Sequence, residues 1–249
     1  MSLKSRVGHW LAVRTAKREA RKAATGAAHQ QRVFEQLVAR GASTHFGRDH
    51  GLRTGMTHAE YCAAVPVRDY EQLKPWVDRA VAGESDILWP GDPLYFCKTS
   101  GTTSGAKYIP ITRDSMPNHL NSARNALLHF IANSGRAQFL DGKMIFLQGS
   151  PELQQTAGGT PMGRLSGIVA HHVPSYLQAN RLPSFEANCI EPWEAKIDAI
   201  VKETKGEDMR LISGIPSWVQ NYFERLLEFT GAANVCLLYT SDAADDETS

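Results

Sequence analysis

The sequence predicts an α/β domain in which a mainly parallel sheet is flanked by helices. One observation is a short apolar run, Lys143 to Leu147, that lies between Asp141-Gly142 and Gly149-Ser150-Pro151. Such a run is typical of a strand buried on both faces of a parallel sheet. Another short strand is predicted at Arg210 to Ile212, after a helix from Trp193 to Lys205. Strands that alternate with helices of this length indicate an α/β fold.

Helix-start signals place further helices before and after the centre of the chain. Thr57 and Glu60 have the spacing of a capping box, and Asp69 precedes an amphipathic helix over Tyr70 to Ala82. Thr112 or Asp114 caps a long helix that extends to about Ser134.

The first 24 residues are basic and carry an irregular apolar stripe at roughly helical spacing, formed by Leu3, Val7, Trp10, Leu11 and Val13. A transit peptide or a membrane-surface helix would also be basic and amphipathic. However, a helix with so few large apolar residues would hold a membrane weakly. We therefore expect it to pack against its own domain, as part of an N-terminal helical segment over residues 1–50.

Composition excludes several function classes. The 249 residues are 42% hydrophobic and 21% charged, with a formal charge of +1, which gives no argument for nucleic-acid binding. No apolar run approaches the roughly 20 residues of a membrane helix, and no signal peptide is recognisable. The four cysteines form no C-x-x-C pair, so neither a zinc site nor a disulfide framework is indicated. We expect a cytoplasmic protein with no membrane partner.

A loop rich in hydroxyl groups and glycine is the main candidate site. Residues 99–105 contain only Thr, Ser and Gly, between apolar segments that predict strands, and Lys107 follows. N–H and O–H donors on a flexible backbone, together with an ammonium group, suit the oxygens of a polyphosphate. The predicted binding residues are Thr99, Ser100, Gly101, Thr102, Thr103, Ser104, Gly105 and Lys107.

The spacing of this loop excludes two common nucleotide motifs. A Walker A loop places Lys directly after its second glycine, whereas here Ala106 intervenes and the glycines Gly101 and Gly105 are one residue too close. No Rossmann G-x-G-x-x-G is present. An ordinary surface turn remains the alternative interpretation, because Ser, Thr and Gly are common turn residues.

Other segments are predicted with less specific chemistry. Arg124, beside the apolar face of the long helix, either extends along the core edge or binds a carboxylate. Residues 152–163 are expected to form a long irregular loop. Ile168 to Val173 is expected to be a strand with His171 and His172 on opposite faces, so that the two cannot share a metal ion.

The last residues, 236–249, resemble the translation of a transposon adaptor used in sequencing libraries. We therefore expect a non-native tail, with the natural protein continuing differently after about Val235; a genuine acidic tail is the alternative. Four acids and no base lie in this segment, and without them the formal charge would be +5.

Several motifs together resemble the bacterial members of the Gretchen Hagen three family, the acyl-acid amido synthetases known in plants as auxin-responsive proteins. The resemblance covers residues 1–235, and its specific part is the segment over residues 87–112. This segment contains T-S-G-T-T-S-G-A-K (99–107), which is similar to the phosphate loop of adenylate-forming enzymes. Supporting motifs are T-H-F-G-R-D-H-G (44–51), P-V-R-D-Y-E (66–71), L-Q-G-S-P (147–151) and S-G-I-P-S-W (213–218).

The resemblance implies a partial N-terminal large domain of an adenylate-forming ligase, whose core would occupy residues 51–235. It implies an activity in which a carboxylic acid reacts with MgATP to give an acyl-adenylate, and an amine or amino acid then forms the amide. The loop would bind the β- and γ-phosphates, and Ala123, Arg124 and Leu127 would line the acyl pocket.

The resemblance also sets limits. The family's second and third nucleotide motifs, one of which supplies the acid near Mg²⁺, are absent, so we expect no catalytic or metal-binding residue within this chain and an inactive fragment. A coenzyme A or carrier-protein ligase and a non-catalytic nucleotide-binding domain remain alternatives, because they would share the loop.

Overall fold

The computed structural model describes residues 2–99, 106–173 and 178–236. These residues form two compact units. One contains residues 2–13, 126–152, 169–173 and 178–236, and the other contains residues 14–99, 106–125 and 153–168. The α/β fold class is confirmed. The described elements are, in order, α1 (Leu3–Ala23), α2 (Gly26–Gly41), α3 (His45–Asp49), α4 (His58–Ala64), α5 (Tyr70–Val81), β1 (Tyr95–Thr99), β2 (Lys107–Ile111), α6 (Met116–Ser134), a 3₁₀ turn (Gln138–Asp141), β3 (Lys143–Leu147), β4 (Gln154–Gln155), β5 (Pro161–Gly163), α7 (Leu165–Ala170), β6 (Arg181–Leu182), α8 (Phe185–Cys189), α9 (Trp193–Thr204), β7 (Met209–Gly214) and α10 (Pro216–Thr230).

The predicted helix starts of α4 and α5 are confirmed by their capping bonds. Thr57 accepts the backbone N–H of Glu60, and the Glu60 carboxylate accepts the backbone N–H of Thr57 at 2.7 Å. Asp69 and Gln72 form the same reciprocal pair at the start of α5. Each box satisfies N–H groups that a helix terminus leaves without partners.

Two sheets differ in how their strands pair. The three-stranded sheet, in the order β6-β3-β7, is entirely parallel, as the apolar run at Lys143–Leu147 predicts. The four-stranded sheet, in the order β2-β1-β5-β4, is mixed: β1 pairs with β5 in parallel, but β1–β2 and β4–β5 are antiparallel. The prediction of a mainly parallel arrangement therefore applies to the first sheet and not to the second.

The core around the parallel sheet lies between β3 and helices α9 and α10. Its buried members are Ile145, Leu147, Ile197, Ile200, Val201, Tyr222 and Leu226. The Tyr222 hydroxyl lies 2.8 Å from the Thr204 hydroxyl, so the polar end of the buried ring has a partner.

The mixed sheet is covered on both sides within its own unit. Phe96 packs with Ala80 and Ile87, next to the side chains of α5, while Cys97 and Ile111 pack with residues of α6 and α7. Since neighbouring residues of a strand point to opposite faces, Phe96 and Cys97 anchor β1 from both sides.

Two predicted segments differ from the structure. The expected strand at Ile168 to Val173 is wrong, because Leu165–Ala170 is helix α7 and residues 171–173 form a turn. A short apolar run such as G-I-V-A does not distinguish strand from helix by periodicity. The expected irregular loop at 152–163 contains the antiparallel pair β4–β5, in which Gln154 pairs with Met162 and Gln155 with Pro161.

Helix α1 packs through small and polar residues rather than through its apolar stripe. Its small and polar residues, including Ser5 and Ala12, are buried, and the Ser2 and Ser5 hydroxyls donate to the Asp141 carboxylate. A Cβ built on Gly8 would meet the end of the Leu140 side chain, so this face lies close to the 3₁₀ turn. Four residues of the predicted apolar stripe, Leu3, Val7, Trp10 and Leu11, are exposed, and Val13 is half-buried. No helix of the described residues is long and apolar enough to cross a membrane.

Candidate functional site

The predicted phosphate loop is bounded by an antiparallel hairpin. Strands β1 and β2 pair in register from Tyr95 opposite Ile111 to Thr99 opposite Lys107. Thr99 ends β1 and Lys107 begins β2, so the two described ends of the loop are cross-strand neighbours. Residues Ser100, Gly101, Thr102, Thr103, Ser104 and Gly105 lie outside the described residues.

The register determines which side chains share a face of this hairpin. Residues directly opposite each other in an antiparallel pair project from the same side of the sheet. Thr99 and Lys107 therefore share one side, while Lys98, which is opposite Tyr108, projects from the other. Lys98 is exposed and Lys107 is half-buried.

Tyr70 is a site residue that sequence reasoning missed. Strand β2 is the edge of its sheet, so every second backbone N–H points away from β1. The Tyr70 hydroxyl accepts one of these, the N–H of Tyr108, at 2.8 Å. Tyr70 is the first residue of α5, directly after the capping residue Asp69. The motif P-V-R-D-Y-E contains Tyr70, but nothing in its spacing indicates this contact.

The ammonium of Lys107 lies near the same tyrosine. Its Nζ atom is 5.3 Å from the centroid of the Tyr70 ring, within the range of a cation–π contact. In the described part of the chain Lys107 makes no hydrogen bond or ion pair, so no carboxylate neutralises it there. A partly buried ammonium held at the end of a loop suits one negatively charged ligand oxygen.

The three predicted acyl-pocket residues occupy different surroundings on α6. Ala123 and Arg124 are exposed, whereas Leu127 is half-buried and lies in the other unit. Arg124 donates to Asn125 Oδ1 through Nε at 3.3 Å and Nη2 at 3.2 Å. Asn125 in turn donates to the Glu19 carboxylate. Their role in an acyl pocket stays a prediction.

Arg124 lines a polar cleft of about 390 Å³ between α1 and α6, within one unit. The cleft is lined by Arg18, Glu19, Lys22, Asn118, Asn121, Ser122, Arg124 and Asn125. Since this lining is almost entirely polar, an apolar acyl chain would gain little by entering it.

The described ranges offer few other side chains that could bind a metal ion or act as a nucleophile. They contain no group of three or more His, Cys, Asp or Glu side chains that could hold a metal ion. His171 Nε2 lies 2.9 Å from the backbone carbonyl of Pro151, which gives it a structural partner. Burial raises the pKa of the Cys97 thiol, so this cysteine is a weak nucleophile.

Comparisons with known proteins agree on one family. A sequence model described as the GH3 family N-terminal domain matches residues 17–215. The "Putative indole-3-acetic acid-amido synthetase GH3.10" of Oryza sativa subsp. japonica is 31% identical over 147 residues, 56% of this chain and 30% of that protein. The indole-3-acetic acid-amido synthetase GH3.6 of Arabidopsis thaliana is 27% identical over 139 residues, 53% of this chain and 22% of that protein.

Solved structures share the fold. The AtGH3.15 acyl acid amido synthetase in complex with 2,4-DB has a TM-score of 0.62 at 18% identity, over 78% of this chain and 34% of that one. A GH3.15 acyl acid amido synthetase structure has a TM-score of 0.63 at 17% identity, over 80% of this chain and 36% of that one. The chain thus spans about a third or less of the proteins that it matches.

Proposed function

Because the chain belongs to the GH3 family, we propose that it is part of an ATP-dependent acyl-acid amido synthetase. Such an enzyme activates a carboxylic acid as its adenylate and transfers the acyl group to an amine or amino acid. The observation that carries the proposal is the hairpin that places Thr99 opposite Lys107 at the two ends of the T-S-G-T-T-S-G loop.

The chemistry of phosphate departure explains why this arrangement suits the reaction. Attack on the α-phosphorus of ATP develops negative charge on the leaving pyrophosphate, and preorganised cations and N–H donors stabilise that charge. Lys107 supplies a cation without an acidic neighbour in the described part of the chain. The hydroxyls and backbone N–H groups of residues 99–105 would donate hydrogen bonds to the same phosphate groups.

The proposed acceptor is an amine rather than coenzyme A or a carrier protein. The relatives and solved structures that the chain matches are named as amido synthetases, and this favours amide formation. Mg²⁺ accompanies ATP in the proposal, with its carboxylate ligand outside the segment described. Ala123, Arg124 and Leu127 remain proposed acyl-pocket residues, and the cytoplasm remains the proposed location.

Nucleotide binding to this chain tests the proposal directly. We expect isothermal titration to show that Lys107→Met weakens pyrophosphate and ATP binding by about tenfold or more, the amount that loss of one charged hydrogen bond implies. Lys98→Met is the matched control, because it removes the same charge from the other side of the hairpin. Equal affinities in the two variants would remove Lys107 from the site.

Catalysis needs a separate measurement on the longer protein that carries this segment. We expect carboxylate-dependent exchange of labelled pyrophosphate into ATP, with a large loss in Lys107→Met and little change in Lys98→Met. Exchange that proceeds without any carboxylic acid would contradict the proposed adenylation.

A further inference from the structure

We propose that the exposed face of α1 binds the surface of a membrane that contains anionic lipids. Four large apolar side chains lie on this face, with exposed fractions of 76% for Leu3, 54% for Val7, 59% for Trp10 and 41% for Leu11. We name them the α1 stripe. The sequence predicts no membrane partner because a helix with so few large apolar residues holds a membrane weakly by itself. In the structure these side chains are exposed, and cations on the same helix supply a second attraction to the membrane.

The opposite face of α1 is the one that packs against the neighbouring residues. Ser5 and Ala12 are fully buried, Gly8 approaches Leu140, and Ser2 and Ser5 donate to Asp141. The spacing of positions 3, 7, 10 and 11 keeps the apolar side chains on one side of the helix. Several large apolar side chains exposed together on one side of a helix are a candidate interaction site.

Charge on the same helix identifies the partner's chemistry. Arg6, Lys17, Arg18, Arg21 and Lys22 are exposed, and their side chains make no hydrogen bond or ion pair within the described ranges. At 100° per residue, Arg6, Lys17 and Arg21 fall within about 40° of Trp10 around the helix axis. The only acid of α1, Glu19, is bound by Asn125.

Anionic lipid suits this combination better than a second copy of the chain. Trp and Leu insert at the boundary between headgroups and acyl chains, and adjacent Lys and Arg bind anionic headgroups. A second α1 would bring the same uncompensated cations to the interface. The stripe precedes residue 17, where the match to the GH3 domain model begins.

The stripe is short, so binding to the membrane is reversible and depends on salt. It covers residues 3–11, so α1 would lie in the plane of the membrane interface. Its affinity has two weak contributions, one from the inserted apolar side chains and one from the attraction of cations to anionic headgroups. Screening at high ionic strength weakens the electrostatic contribution.

Sedimentation with lipid vesicles tests this proposal on the chain itself. We expect binding to vesicles of equal parts phosphatidylcholine and phosphatidylserine, and little binding to phosphatidylcholine alone. Val7→Ser combined with Trp10→Ser should weaken binding by about tenfold, since two inserted side chains are lost. Val33→Ser combined with Leu37→Ser is the matched control, because both residues are exposed apolar side chains on α2.

A variant with two cations removed tests the electrostatic contribution to membrane binding. Lys17→Gln combined with Arg21→Gln should reduce binding to the anionic vesicles and make it less sensitive to salt. The proposal is overturned if the unmodified chain does not sediment with anionic vesicles or if the stripe variant binds as well as the control. It is also overturned if the chain forms a dimer that only the stripe variant dissociates, since the stripe then binds a second copy.

Discussion

The hydroxyl of Tyr70 accepts the backbone N–H of Tyr108 at 2.8 Å and thereby connects the first turn of α5 to an edge strand. The ring of the same side chain lies 5.3 Å from Lys107 Nζ. One residue therefore contacts both the backbone of β2 and the cation at its start. An unpaired N–H on an edge strand would otherwise need water or another chain as its acceptor.

Replacing Tyr70 by Phe should separate these two contacts. The ring remains beside Lys107, but the Tyr108 N–H loses its acceptor in a half-buried position, so we expect a loss of about 1 kcal/mol in unfolding free energy. Tyr70→Leu removes the ring as well and should weaken pyrophosphate binding beyond the effect of Tyr70→Phe. Urea unfolding and calorimetry measure the two effects.

Tyr61→Phe provides the matched control for this experiment. Tyr61 is half-buried on α4, and its ring contacts Phe34 edge-on with a centroid distance of 5.6 Å. We expect the Tyr61 hydroxyl to contribute little to the unfolding free energy. If Tyr70→Phe unfolds at the same urea concentration as the unmodified chain, the bond to Tyr108 does not stabilise the hairpin.

Local signals predicted much of the fold because they act over a few residues. The capping boxes at Thr57 and Asp69, the helix that begins at Trp193 and the strand Lys143–Leu147 all depend on neighbouring side chains, and each is confirmed. The ends of the loop at Thr99 and Lys107 were likewise predicted from the strand-like residues around them.

Long-range packing explains what the sequence could not predict. The contact between Tyr70 and Tyr108 joins residues 38 positions apart, and no spacing rule relates them. The orientation of α1 depends on Leu140 and Asp141, which lie far along the chain. Ile168 is buried in either a helix or a strand, so burial alone does not decide its secondary structure.

Gly158 should not tolerate a side chain. A Cβ at this position would lie 2.5 Å from both Cα and N of Gly83 and 2.8 Å from the carbonyl carbon of Ala82. Its backbone N–H donates to Val81 at 3.1 Å, so the backbones of the β4–β5 turn and the end of α5 are in direct contact. We expect Gly158→Ala to lower the unfolding free energy by about 1–3 kcal/mol, as forced overpacking does.

Gly26→Ala is the control for that substitution. Gly26 begins α2 in the same unit, and nothing lies within 4 Å of a Cβ built there. Ala at this helical position should be neutral or slightly stabilising. Equal stability of Gly158→Ala and Gly26→Ala in urea would show that the β4–β5 turn moves away from α5 at no cost.

The carboxyl of Glu60 should titrate at unusually low pH. Hydrogen bonds from the backbone and side chain of Thr57, and then from Arg53, lower its pKa from 4.5 to about 2. Because folding favours the charged form, its contribution to stability is present above the unfolded pKa of 4.5 and is lost as the pH falls through about 2. Carboxyl NMR of the folded chain measures the midpoint.

Unfolding measurements on a variant test how stability depends on the ionisation of Glu60. Glu60→Gln removes the charge but retains an oxygen acceptor for the capping box. The difference in unfolding free energy between the unmodified chain and this variant should therefore be largest near neutral pH and shrink below about pH 4. A Glu60 midpoint near 4.5, with a difference independent of pH, would show that the carboxylate gains nothing from Thr57 and Arg53.

Cys97 and Cys62 should react at very different rates with a thiol reagent. Burial raises the pKa of the Cys97 thiol, and its side chain packs with Ile111 and Met116, whereas Cys62 is exposed on α4. Since the thiolate is the reactive form and must be accessible, we expect iodoacetamide to modify Cys97 at least about tenfold more slowly than Cys62 at pH 8. Peptide mass spectrometry after timed quenching measures both rates in one sample.

In urea the two rates should converge, because unfolding exposes both thiols. Rapid modification of Cys97 in the native chain would mean that β1 separates from its α6 and α7 neighbours often enough to expose the thiol.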